Sequence, residues 1–150
     1  MKKEQFIDIF PPYAFEVLNY YSVIKNRSSL TVLEYANDLL TFFRFLKVIR
    51  GLADKETPFE EIYVKDLSIE TISGVSLNDA YMFLVYCKDE RENNERTRAR
   101  KATTLRMFYK YLTVQKRILD ENPLQELDAP KIKKTLPKYL TLEESLDLLK

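Results

Sequence analysis

Residues 28–49, SSLTVLEYANDLLTFFRFLKVI, restrict the fold more than any other stretch of the chain. The segment has no glycine or proline, and Leu39, Phe42, Phe43 and Leu46 recur at i, i+3, i+4 and i+7. Val32 and Tyr35 carry the same stripe backwards. That period predicts an amphipathic helix, and its length is beyond an ordinary strand. Ser28 or Ser29 can cap its start and Gly51 can end it. Such a helix must bury a face carrying several aromatic rings, so other helices have to supply the opposing surface.

Three further segments answer that need. After Pro11-Pro12, a helix through Ala14–Asn26 sets Phe15, Leu18 and Ser22 along one side, with Val17, Tyr21 and Ile24 beside them. Another begins at Ser76, where Ser76-x-x-Asp79 forms a capping-box pattern. A third runs from Thr97 to about Lys116, opened by Asn93 or Asn94, and buries Leu105, Phe108, Tyr109 and Leu112. Two glycines leave little room for sheet turns, and the 19 Phe and Tyr residues (9 + 10) can fill a sizeable core. An all-α fold follows. Residues 51–75, punctuated by Pro58 and Gly74, read as a loop with one or two short helices. Within them IYVKDL alternates like a strand but has no partner strand.

The net charge of +1 conceals an asymmetry. Residues 1–90 hold 10 Lys/Arg against 14 Asp/Glu, and residues 91–150 hold 14 against 9, so the halves carry −4 and +5. From Arg96 to Arg117 there are eight basic residues and no acidic one. A helix that is both core-forming and strongly positive is repelled by itself, and a counter-charged partner relieves the repulsion. At 100° per residue, Arg96, Arg100, Thr103, Met107 and Lys110 fall opposite the buried stripe, with Thr104 at the edge.

Several chemistries are disfavoured. The chain has no histidine and a single cysteine, Cys87, which removes the usual triads and transition-metal sites and excludes an internal disulfide. The pairs Glu60-Glu61 and Glu143-Glu144 are sequence neighbours and point apart on a helix. Two distant glycines cannot build a phosphate-cradling loop. The expectation is a segment with no catalytic residues, no metal and no cofactor. No apolar run reaches the ~20 residues that cross a bilayer, and MKKEQFIDIF does not read as a signal peptide because Asp8 interrupts it. A cytoplasmic protein without a membrane partner is expected.

Duplex DNA is the partner that the basic helix suits. Phosphates carry about one charge per ~1.7 Å of axis, so a cationic face gains free energy from counterion release, and Arg or Lys can also read guanine in the major groove. Threonine hydroxyls can bond phosphates. The candidate contacts are Arg96, Thr97, Arg100, Lys101, Thr103 and Thr104 on that helix, then Ser28, Ser29 and Thr31 at the start of the long helix. Two alternatives stay open: a solvated surface helix, or one docked on the acidic first half of the chain. A helical protein–protein module binding an acidic partner would use the same faces. Beyond the helix, Pro123, Pro130 and Pro137 frame an extended stretch containing Lys131, Lys133 and Lys134, which join the candidate contacts. Thr141-x-x-Glu144 then caps the start of another helix. Residues 1–129 are expected as one helical domain, 130–138 as a basic linker and 139–150 as the opening of a second domain.

Three motifs in order carry a resemblance. The first is Ser28, Thr31, Tyr35, Asp38, Leu39, Phe42, Phe45 and Leu46; the second is Thr97, Arg100, Leu105, Arg106, Phe108, Tyr109, Tyr111 and Leu112. The third runs through Asn122-Pro123, Pro130-Lys131, Leu136-Pro137, Leu140-Thr141 and Glu143-Glu144. Together they resemble the N-terminal core-binding domain and interdomain joint of tyrosine recombinases, the phage-integrase and Xer group. The resemblance implies a SAM-like orthogonal bundle of four to five helices that clamps double-stranded DNA, with its second and fourth helices toward the major groove. It also implies a catalytic domain beyond residue 150 that exchanges strands through a tyrosine nucleophile, and other protomers in a tetramer on DNA. Residues 51–75 depart from the pattern, being longer and more acidic than the link in the simplest Xer proteins.

Overall fold

The computed structural model describes residues 1–127, which fold into six α-helices: α1 (Phe6–Ile9), α2 (Pro12–Asn19), α3 (Ser29–Ile49), α4 (Ile69–Ser73), α5 (Leu77–Asp89) and α6 (Glu95–Lys110). Helices α2 and α6 each continue into a wider π-type turn, Tyr20–Ile24 and Tyr111–Gln115. No strand occurs among the described residues. The expected linker and second-domain start, 130–150, lie outside them.

Local chemistry sets the boundaries of α3. Ser28 Oγ accepts from the Thr31 backbone N–H at 3.1 Å. At the other end Gly51 adopts φ +68, with its N–H on Val48 O (3.1 Å) and the Leu52 N–H on Lys47 O (2.8 Å). That pair of bonds closes the helix by a left-handed residue, where glycine avoids the Cβ penalty. For α5, Ser76 Oγ accepts from Asp79 N at 3.1 Å while Asp79 Oδ2 accepts from Ser76 N at 2.9 Å, a reciprocal capping box. Asn94 rather than Asn93 caps α6, accepting from Thr97 N at 2.8 Å.

α3 and α5 pack on α6, and α2 packs on α3. Phe43 is the hinge of the core, with ring centroids 5.5 Å from Phe108 of α6 and 6.3 Å from both Phe10 and Tyr13. Phe42 meets Phe83 of α5 at 5.1 Å, near-perpendicular. Each such pair contributes about 0.5–1.5 kcal/mol beyond simple burial. A tyrosine hydroxyl carried inward needs a partner, and two of them find carbonyls of the 51–75 region: Tyr109 donates to Ile72 O and Tyr13 to Leu67 O, both at 2.7 Å. The long connection is thereby tied to the bundle at two points.

Two regions differ from or refine the sequence reading. Helical structure starts ahead of Pro11-Pro12, because Phe6 and Phe10, four residues apart, both enter the core as a T-shaped pair 5.8 Å apart. The alternation in IYVKDL reflects an extended segment lying on the core, with Ile62, Val64 and Leu67 buried and Tyr63 outward. Arg44 Nε holds the Ile62 carbonyl at 3.2 Å, in place of a strand ladder. After α6, Arg117 turns the chain with φ +53, and Leu119, Leu124 and Leu127 return to the core.

Candidate nucleic-acid interface

The seam between α3 and α6 is built around one buried carboxylate. Asp38, 1% exposed, sits on the apolar stripe of α3, one turn before Phe42. Arg100 grips it with Nε on Oδ2 (3.1 Å) and Nη2 on Oδ1 (2.7 Å). Lys101 Nζ donates to Oδ1 at 2.9 Å, and the Thr104 hydroxyl lies 2.8 Å from Oδ2. Four donors thus saturate Asp38, which a buried carboxylate requires. The third nitrogen of Arg100, Nη1, reaches outward to Glu34 Oε2 at 3.0 Å, where both side chains are 37% exposed. Hydrogen bonding by Asp38, and then the charge of both carboxylates, pushes the Arg100 guanidinium above its already high range, so it stays cationic throughout.

This arrangement corrects the expected contact list at two positions. Lys101 and Thr104 are 6% and 2% exposed and cannot reach a ligand outside the fold. The reason is positional: Lys101 stands four residues before Leu105 and Thr104 four before Phe108, so both lie on the buried stripe. Arg100 is half turned in, with only Nη1 free to exchange partners. Part of the basic helix is therefore docked on the acidic first half of the chain.

The remaining expected residues are exposed or half-buried. Ser29 and Arg96 are exposed, and Thr31 and Thr97 are half-buried in the first turns of α3 and α6. Ser28 is exposed but engaged as the α3 cap, also donating to Thr31 Oγ1 at 2.8 Å. Thr103 is exposed. Lys131, Lys133 and Lys134 lie outside the described residues.

Beyond Thr103 the outer face of α6 continues through Arg106, Met107 and Lys110, spaced i, i+3, i+4 and i+7. Arg106 Nη1 donates to the Leu127 carbonyl at 2.8 Å, and Nη2 to Thr103 Oγ1 at 3.2 Å. Across from this face, Asn122 and Gln125 complete an open groove of about 280 Å³ with Thr103, Arg106, Met107 and Lys110. An adjoining groove of about 620 Å³ shares Lys110, Asn122 and Gln125 and ends at Asp120 and Glu121. Lys110 was legible as an outward cation, but Arg106 and the two amides were not, the amides because the return of the chain over α6 depends on Leu119 and Leu124 entering the core. Among the described residues, no cluster of His, Cys, Asp or Glu is placed to hold a metal ion. Burial pushes the Cys87 thiol up to about 11, leaving it protonated and unreactive at neutral pH.

These features define a class first: an all-α bundle whose two longest helices meet in a charged seam and leave hydroxyl, amide and cationic groups on one outer face. The particular family follows from comparison with known proteins. Residues 16–116 match the model of the phage integrase N-terminal SAM-like domain, and the chain belongs to that family. It is 47% identical over 140 residues to the tyrosine recombinase XerC of Caldanaerobacter subterraneus subsp. tengcongensis, an alignment covering 93% of this chain and 40% of that protein. It is 31% identical over 131 residues to XerC of Bacillus subtilis (87% of this chain, 36% of that one). With XerC of Thermodesulfovibrio yellowstonii the identity is 30% over 137 residues (91% and 38%). The chain thus spans about two fifths of the length of the curated relatives it matches. No solved structure gives a significant match. Among the described residues, no helix is long and apolar enough to cross a membrane.

Proposed function

We propose that the chain is the DNA-binding N-terminal domain of a site-specific tyrosine recombinase, holding duplex DNA while a catalytic domain, further along the protein, exchanges strands. One observation carries this reading: the family match over residues 16–116 contains both α3 and α6, which outside their buried seam carry exposed or half-buried hydroxyls and cations. The reading assigns phosphate and base-edge contacts to Ser29, Thr31, Arg96, Thr97, Thr103 and Arg100 Nη1, with Ser28 orienting Thr31. It adds Arg106 and Lys110 as cations, and Asn122 and Gln125 as amides able to pair with adenine edges. Lys131, Lys133 and Lys134 remain in it on sequence grounds, as phosphate contacts of the linker. Partners in the full-length protein are its own catalytic domain and further protomers on DNA. XerC relatives support the same reading, being named as tyrosine recombinases.

The test is fluorescence anisotropy with a random duplex at about 50 and 200 mM salt. A handful of phosphate contacts should make binding weaken by orders of magnitude across that range. Absence of binding at the lower salt would contradict the reading and favour a protein partner for the same face.

A further inference from the structure

Of the two carboxylates on α3, Asp38 and Glu34, only Asp38 is needed by the fold. Asp38 is enclosed and takes four donors, whereas Glu34 makes one ion pair, at the solvent edge of the seam. Its position is telling. Thr31 precedes Glu34 by three residues on α3, and Thr97 and Arg96 precede Arg100 by three and four on α6. The Glu34 carboxylate therefore sits within the group of hydroxyls and cations assigned above to DNA, on the one Arg100 nitrogen that Asp38 leaves free.

We infer that Glu34 is an internal counter-ion that fills, in the free chain, a site for a DNA backbone phosphate on Arg100 Nη1, and that it thereby weakens binding to arbitrary duplex. The inference rests on the DNA-binding reading. A carboxylate oxygen 3.0 Å from a guanidinium nitrogen presents the same charge and acceptor geometry as a phosphate oxygen. The exchange does not disturb the core, because Nε and Nη2 keep their hold on Asp38 throughout. Exposed pairs of this kind add little to stability, so Glu34 is readily displaced. Displacement nonetheless carries a cost for binding. When a phosphate takes Nη1, the freed Glu34 repels the backbone and recruits a cation from solution, cancelling the counterion that the phosphate released. Arg100 consequently contributes contact without salt dependence.

The experiment compares the unaltered chain with Glu34→Gln and with Glu56→Gln, an exposed carboxylate in the 51–75 loop away from the seam. Binding to a random 20–30 base-pair duplex is followed by anisotropy from roughly 50 to 200 mM salt, with thermal unfolding of each protein as a check on folding. Glu34→Gln should bind about fivefold tighter at the lowest salt, the effect of one unit charge a few ångströms from a phosphate in a water-like medium. Its log–log salt slope should steepen by about 0.9, the contribution of one additional neutralised phosphate. Glu56→Gln should move neither quantity appreciably. If Glu34→Gln and Glu56→Gln behave alike while all three proteins bind DNA, the counter-ion role is overturned and the DNA-binding reading stands. If the unaltered chain and both variants fail to bind, both fall together.

Discussion

The inner and outer sides of α6 make opposite use of the same residue types. On the inner side, Arg100, Lys101 and Thr104 converge on Asp38, with Lys101 and Thr104 buried and Arg100 partly exposed. On the outer side Thr103, Arg106 and Lys110 line an open groove, and no carboxylate among the described residues is within salt-bridge distance of either cation. The contrast teaches that the charge of a helix is not a count of its ligand contacts. Two of the eight cations between Arg96 and Arg117 are spent on holding α6 to α3, and a third, Lys116, is paired with Glu16 at 2.9 Å. What remains for a partner is smaller than the sequence total and is split between the start of the helix, at Arg96, and its C-terminal half, at Arg106 and Lys110.

The largest effect expected from this contrast is on the inner side. Asp38→Ala would strand Lys101, and part of Arg100, in a buried place without a counter-charge, and breaking a buried pair in that way costs about 3–5 kcal/mol. Urea unfolding should show a loss of unfolding free energy of that size; a variant as stable as the parent would dissolve the distinction between the two sides. Lys101→Glu, which sets two carboxylates against each other, should likewise fail as a fold, so that its loss of DNA binding reports unfolding and not a lost contact.

On the outer side the order reverses. Arg106→Gln with Lys110→Gln should lower stability by only about 1 kcal/mol, since Lys110 is exposed and the main loss is the hydrogen bond from half-buried Arg106 to the Leu127 carbonyl. The same pair should weaken duplex binding by about tenfold and flatten the log–log salt slope by roughly 1.8, two phosphates' worth. An unchanged slope would remove these cations from the interface.

A smaller effect comes from the far end of α3, where Arg50 pairs with Asp79 at the start of α5. Hydrogen bonding by Arg50, and then by the Ser76 cap, holds the Asp79 carboxyl below its ordinary range. Its folded value lies below its unfolded one, so its stabilisation is full above the usual carboxylate range and is lost as pH falls through the depressed value. Asp79→Asn should cost about 1 kcal/mol at neutral pH and should make stability fall less steeply on acidification than in the parent. Thermal melts between pH 3 and pH 7 would read both, and parallel curves would exclude Asp79 as a source of acid sensitivity.

Much of this architecture could be read in advance. The apolar stripes of α3 and α6, the Ser76 box and the Gly51 stop are local signals, and each does locally what its residue type favours. The inward turn of Lys101 was visible in principle, because a lysine four residues before Leu105 on a buried stripe must find a carboxylate, and Asp38 stands on the matching stripe of α3. Recognising the pair required knowing that α3 and α6 face each other at that height, which is tertiary information. The Asn122 and Gln125 side of the groove was less legible still, since it depends on how the chain folds back after Arg117. The Phe6–Phe10 contact was missed for a plainer reason: two rings four residues apart are a weak signal next to Pro11-Pro12.

The central claim is that DNA meets the outer face of the α3–α6 seam and not the cations held inside it. Titrating a short duplex into the nitrogen-15-labelled chain and following its amide resonances tests this most directly. The account predicts saturable shifts at Ser29–Thr31, Arg96–Thr97 and Thr103–Lys110, with Lys101 and Ala102 nearly still and the α5 surface around Met82 and Val85 unaffected. Shifts concentrated on α5 or on residues 51–75, with the outer face of α6 silent, would contradict it.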